Sequence, residues 1–187
     1  GQNEWFRTWL FRTNNITTFS LALSVLFFYS IPFMFFNFNK LKLFSINKKI
    51  ISFSIIYLII LSINFSYIPP YSGGIFYKAS RLLFSNNYLF YFIAFLSFYS
   101  FLLISKNFTQ KKNNFLDLIL VILLIFVEID GRIYHEAYDP LFYILSFLFI
   151  KNTLYSETIK NLSFKSINTL LIFIFSFLLI SVIKIYI

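Results

Sequence analysis

Four stretches of this chain, residues 16–38, 50–68, 88–105 and 167–187, are almost wholly apolar. Each is long enough, wound as a helix, to cross a hydrocarbon core of about 30 Å, which takes roughly 20 residues. Within such a core every backbone N–H and C=O must find a partner inside the protein, so the segments that cross are helices or closed barrels. Pro32 falls inside the first run and is expected to kink it, because it removes one backbone donor. Two further apolar runs, 115–130 and 140–155, are shorter and cover only ~24 Å each at 1.5 Å per residue. The fold class that follows is all-α. A polytopic membrane helix bundle of about six transmembrane helices makes one domain over residues 1–187, with the fourth and fifth spans the shortest.

Composition agrees. Hydrophobic residues make up 59% of the chain and charged ones 12%, where a soluble domain averages about 25% charged. Phe occurs 29 times. Together with heavy use of Ile, Asn, Lys and Tyr, that count points to an AT-rich genome and carries no functional weight. Cys is absent, which excludes disulfides, thiolate metal sites and thiol nucleophiles. A net charge of +9 would suggest nucleic acid in a soluble protein; here basic loops on the cytoplasmic side explain it better, and no nucleic-acid partner is expected. The first residues, GQNEWFRTWLFR, hold Trp5 and Trp9 and suit a segment lying at a membrane interface. They lack the pattern of a signal peptide, and the natural protein is expected to extend upstream of Gly1.

The charges between spans set the sidedness. One side carries Lys40, Lys42, Lys48 and Lys49, then Lys106, Lys111 and Lys112, then Lys151, Lys160 and Lys165. The other carries Arg7 and Arg12, Lys78 and Arg81, Arg132 among acids, and Lys184. The richer side faces the cytoplasm by the positive-inside rule, so both termini of this integral membrane protein are expected outside it. That arrangement suits a piece of a longer polytopic chain.

Two loops then share the outer face. The first, 69–87, begins PPYSGGIFYKASR. Its Pro-Pro and Gly-Gly pairs fix a turn and let the backbone approach something closely. If IFYKASRLLF is helical, Lys78 and Arg81 lie one turn apart and face the same way. Two cations beside a glycine turn suit a phosphate; an ordinary interfacial loop would carry the same residues. The second loop, 130–139, lies within the stretch EIDGRIYHEAYDP, 128–140, which holds four of the seven acids in the chain, its single histidine and Arg132. Because the flanking spans are short, this loop is expected to dip below the outer surface. Asp139 and Pro140 make a good helix start, as N-cap and first helical residue. Ionisable groups at membrane depth face a protein interior or a wet cavity. Glu128, Asp130, Arg132, Tyr134 and His135 are therefore the candidate binding residues, although a salt-bridged surface turn would also use Arg132 with Glu128 or Asp130. His135, Glu136 and Asp139 lack a second histidine, and no metal or other cofactor is expected.

A carboxylate closing a span (Glu128), then Arg132 and Tyr134, then Pro140 opening another apolar run, resembles the C-terminal region of polytopic GT-C glycosyltransferases. Within them it looks most like the dolichyl-phosphate-glucose glucosyltransferase type and its bacterial relatives. The stretch NNITTFSLALSVLFFYSIPF is compatible with that group. These patches span about a third of the chain, and the Asp130-Gly131 pair before Arg132 departs from the pattern. The resemblance implies a polyprenyl-phosphate-linked sugar donor entering sideways from the bilayer, membrane lipids as partners, and a site on the extracytoplasmic face. It implies that Arg132, with Lys78 and Arg81 added by charge, binds the lipid phosphate. Glu128 would orient Arg132, and Tyr134 and His135 would bond sugar hydroxyls. Such enzymes place a catalytic Asp or Glu in an early outer loop, so no catalytic base is assigned in this chain. A rival expectation is a structural subunit of an organelle-encoded respiratory or ATP-synthase complex, with other subunits as partners. A transporter would instead place its polar site at the midplane.

Overall fold

A computed structural model of the chain describes residues 14–36, 47–67, 73–109, 122, 163–164 and 167–176. These residues are helical apart from short connections, with no strand among them. In chain order the elements are α1 (Asn15–Phe36), α2 (Lys48–Asn64), α3 (Gly74–Phe84), α4 (Tyr88–Thr109) and α5 (Ile167–Ser176). Four of them match expected spans. Helix α1 begins one residue before the first expected span and runs on through Pro32. Helix α2 ends at Asn64, short of residue 68, and the chain leaves it in extended backbone at Phe65. Helix α4 starts at Tyr88 as expected and continues past residue 105. The expected fourth and fifth spans, 115–130 and 140–155, lie outside the described residues but for Ile122.

Helix α1 is the hub. It lies against α2, α3 and α4, while α4 also packs on α2 and α3. From Leu21 to Leu26 every residue of α1 is buried. Among the described residues, the buried polar residues carry hydroxyls: Thr17, Ser20, Ser24, Ser30, Ser54, Ser80, Ser97 and Ser100. Most turn back on their own helix. Ser20 donates to the Thr17 carbonyl at 2.9 Å, Ser24 to Leu21 at 2.7 Å, Ser30 to Leu26 at 2.7 Å, Ser54 to Ile50 at 2.9 Å and Ser97 to Ala94 at 2.9 Å. A serine closed in this way needs no water and leaves a small surface, so neighbouring backbones come close. Where the helices part slightly, rings fill the space. Tyr57 of α2 stacks on Phe98 of α4 with centroids 4.1 Å apart, and Phe19 of α1 meets both edge-on at 6.2 and 6.4 Å.

The outside is the reverse. Helix α2 exposes Phe53, Ile55, Ile56, Ile59, Ile60 and Ile63, the last 76% exposed, and α5 exposes Ile167, Leu171, Ile172, Ile174 and Phe175. Among described side chains, the exposed charges are Lys48, Lys49 and Arg81, at helix ends. By length and composition, one described helix is apolar and long enough to cross a membrane, over Asn15–Pro32, and 67% of that window is buried inside the bundle. A helix of this kind also suits the core of a water-soluble protein.

Candidate functional site

The described part of the segment between α2 and α4, residues 73–87, is built around glycine and serine. The expected close approach of Gly73-Gly74 is present, and its object is the protein itself. Both glycines have left-handed backbone, with φ of 98° and 77°. A Cβ on Gly74 would lie 2.6 Å from Val25 Cγ2 of α1, and one on Gly73 would lie 2.7 Å from both the Tyr67 and Tyr77 rings. Val25 stands ten residues into α1 from Asn15, which is ~15 Å along its axis. Phe76 reaches further, packing on Phe28 with centroids 5.8 Å apart. The loop therefore does not stand clear of the bundle. It brings the start of α3 against the middle of α1, and α3 then runs back towards the start of α4.

Three polar links hold this arrangement. Tyr77 donates its hydroxyl to the Tyr67 carbonyl at 3.0 Å, closing the loop from α2 into α3. Burial pushes the Tyr77 phenol above the ordinary tyrosine range, with Arg81 pulling it partly back, so the group stays protonated and serves as a donor. Ser80 joins α3 to α4: its hydroxyl donates to the Asn86 carbonyl at 2.8 Å and accepts from the Phe90 N–H at 3.1 Å. That N–H belongs to the first turn of α4, where no carbonyl within the helix can reach it. Ser80 thus caps α4 from the preceding helix. Thr17 plays a similar part between α1 and α2, accepting from the Ser66 N–H at 3.2 Å and lying 3.5 Å from the Asn64 carbonyl.

Of the candidate binding residues, two fall within the described structure. Lys78 and Arg81 both lie on α3, one turn apart as the helical reading of IFYKASRLLF requires. Their settings differ. Lys78 is half-buried on the flank of the helix, and Arg81 is exposed in its last turn, where a cation also complements the helix dipole. Glu128, Asp130, Arg132, Tyr134 and His135 lie outside the described residues, as do Glu136 and Asp139.

A chemical limit follows from the described residues alone. They contain no Asp, Glu or His, and so no group of three metal-ligating side chains. The described residues therefore supply no general acid or base with a pKa near neutrality. What the described bundle offers is cations (Lys48 and Lys49 at the start of α2, Lys78 and Arg81 on α3), buried hydroxyls and rings. The Tyr57 hydroxyl is one of these buried groups, and the Ser20 side chain of α1 is its polar neighbour. Sequence reasoning had no signal for Ser80 or Thr17, since a serine or threonine in a loop or first turn is unremarkable until its partners are known. Comparison of the chain with protein-family models, curated proteins and solved structures finds no match.

Proposed function

We propose that this chain is a membrane-embedded helical bundle that takes part in glycosyl transfer from a polyprenyl-phosphate-linked sugar at the extracytoplasmic face. The observation that carries the membrane part is the inverted surface. Bulky side chains such as Ile59 and Phe53 point out, at 53% and 63% exposure, while hydroxyls and small residues such as Ser24, Ala94 and Ser97 are packed inside. Helix contacts within lipid favour that arrangement, because close backbone packing rather than the hydrophobic effect holds them together. The six-span count, with residues 115–130 and 140–155 as short spans, and the extracytoplasmic placing of both termini belong to the same proposal.

The chemical part rests on the likeness of residues 128–140 to the outer loop of GT-C glycosyltransferases. Transfer from a lipid phosphate needs a base at the acceptor and cations at the departing phosphate. Arg132, oriented by Glu128, supplies the principal cation. Lys78, half-buried on the same face, supplies a second, and Tyr134 and His135 hold the sugar. Removing Arg132 as Arg132→Ala is expected to lower transfer from radiolabelled polyprenyl-phosphate-glucose at least ~100-fold, with an unchanged unfolding temperature. Unchanged transfer in that variant would take Arg132 out of the site. A structural subunit of a larger membrane complex is the second reading, favoured by the wide apolar face of α2, which another subunit could cover as well as lipid. Purification of the native protein in a stable multi-subunit assembly without transferase activity would decide for it.

A further inference from the structure

The tip where α3 turns into α4 combines features found nowhere else among the described residues. Leu82, Leu83 and Phe84 follow Arg81 and are exposed by 69%, 65% and 57%, and Tyr88 just beyond them by 76%. Ser85, with φ of 54°, and the two asparagines after it make a short polar turn between them. The cation, the apolar side chains and the tyrosine ring therefore share one end of a helical hairpin. The sequence holds no Asp or Glu between Glu4 and Asp117, so no carboxylate within α1–α4 can balance Arg81. We infer that this tip is an anchor for anionic phospholipid: Arg81 takes the headgroup phosphate while Leu82, Leu83 and Phe84 lie against the acyl chains beneath it.

The chemistry is specific to that partner. A guanidinium offers several fixed donors to phosphate oxygens and is less strongly hydrated than an ammonium, so it suits the headgroup layer. Tyr88 has an apolar ring and a polar end, the composition favoured at that depth. A soluble anion would satisfy Arg81 but leave three large apolar side chains in water; a zwitterionic lipid would cover the side chains but bring its own cation to the phosphate. Anionic phospholipid meets both demands at once. In this arrangement the phosphate of the sugar donor is left to Lys78 and Arg132, and Arg81 fixes the depth at which the hairpin sits. The inference rests on the membrane reading proposed above and adds a lipid preference and a place for it.

The test uses the full chain reconstituted in bilayers that carry a photoreactive headgroup analogue of either phosphatidylglycerol or phosphatidylcholine, followed by peptide mapping of the adducts. The phosphatidylglycerol probe is expected to label the peptide carrying residues 81–92 at least about fivefold more than the phosphatidylcholine probe. Arg81→Gln should remove that excess, Arg81→Lys should restore part of it, and labelling at Lys48 and Lys49 should not change in either. Millimolar inorganic phosphate should not compete. Equal labelling by the two probes, an undiminished signal in Arg81→Gln, or full competition by phosphate would each overturn the inference. Extraction of the chain from membranes by alkaline carbonate is the separate control. A chain that washes off overturns the membrane reading itself, whereas a chain that stays without a lipid preference overturns the anchor alone.

Discussion

Replacing Gly74 by valine is expected to destabilise the bundle by about 2–5 kcal/mol, enough to deprive a marginally stable domain of much of its folded population. Two costs add. The backbone at Gly74 has φ of 77°, a left-handed conformation that costs an L-residue roughly 1–2 kcal/mol and a β-branched one more. The side chain then has nowhere to go, because even its first carbon would meet Val25 Cγ2 at 2.6 Å, and overpacking of a tight interior costs about 1–3 kcal/mol. The two costs can be separated. Gly74→Ala carries the backbone cost and a smaller steric one. Combining it with Val25→Ala on α1 removes the facing methyl groups and should recover the steric part only. Thermal unfolding of the purified single and double variants, read as a double-mutant cycle, gives the coupling directly. Additive effects of Gly74→Ala and Val25→Ala would mean that α3 does not rest on the middle of α1.

The second large effect is expected at Ser80. Its hydroxyl has two jobs, donating to the Asn86 carbonyl at 2.8 Å and accepting from the Phe90 N–H at 3.1 Å. Ser80 itself is fully buried. Ser80→Ala keeps the shape of the site and takes the hydroxyl partner from the buried Phe90 N–H and the part-buried Asn86 carbonyl. Each orphaned group costs about 1–3 kcal/mol, and replacing a capping serine by alanine costs ~1 kcal/mol on more exposed helices. A loss of about 2–3 kcal/mol is therefore expected. Ser24→Ala makes the contrast: the Ser24 hydroxyl donates only to Leu21 of its own helix at 2.7 Å, and that carbonyl keeps its place in the helical ladder. Its replacement should cost less than ~1 kcal/mol. Equal losses at the two serines, measured by thermal unfolding, would contradict a special link from α3 to α4.

The contrast between these two serines shows what could be read in advance. Helices α1, α2 and α4 were legible from the lengths of their apolar runs, because bilayer thickness and helical rise tie run length to structure. The helical setting of Lys78 and Arg81 was legible as a spacing, and the glycine pair as a close approach. The other party to that approach was not, because nothing in GGIFYKASR names Val25, which lies far back in the chain. Long-range partners of small residues leave no periodic trace. The difference between Lys78 and Arg81, half-buried against exposed, was hidden for the same reason, since adjacent turns of one helix look alike until its neighbours are placed. The binding residues at 128–135 stand as read from the sequence, resting on the resemblance and on the shortness of the runs that flank them.

The central claim is that lipid covers the outer face of this bundle. With no cysteine in the chain, single nitroxide labels can be placed at Ile56 and Ile59 on the exposed face of α2, at Lys48 where that helix begins, and at Ser85 in the turn after α3. Electron paramagnetic resonance of the reconstituted protein then compares collisions with oxygen, which concentrates in acyl chains, and with a water-soluble nickel chelate. The account predicts high oxygen and low nickel accessibility at Ile56 and Ile59, and the reverse at Lys48 and Ser85. Nickel reaching Ile56 and Ile59 as readily as Lys48 would place that face in water and contradict it.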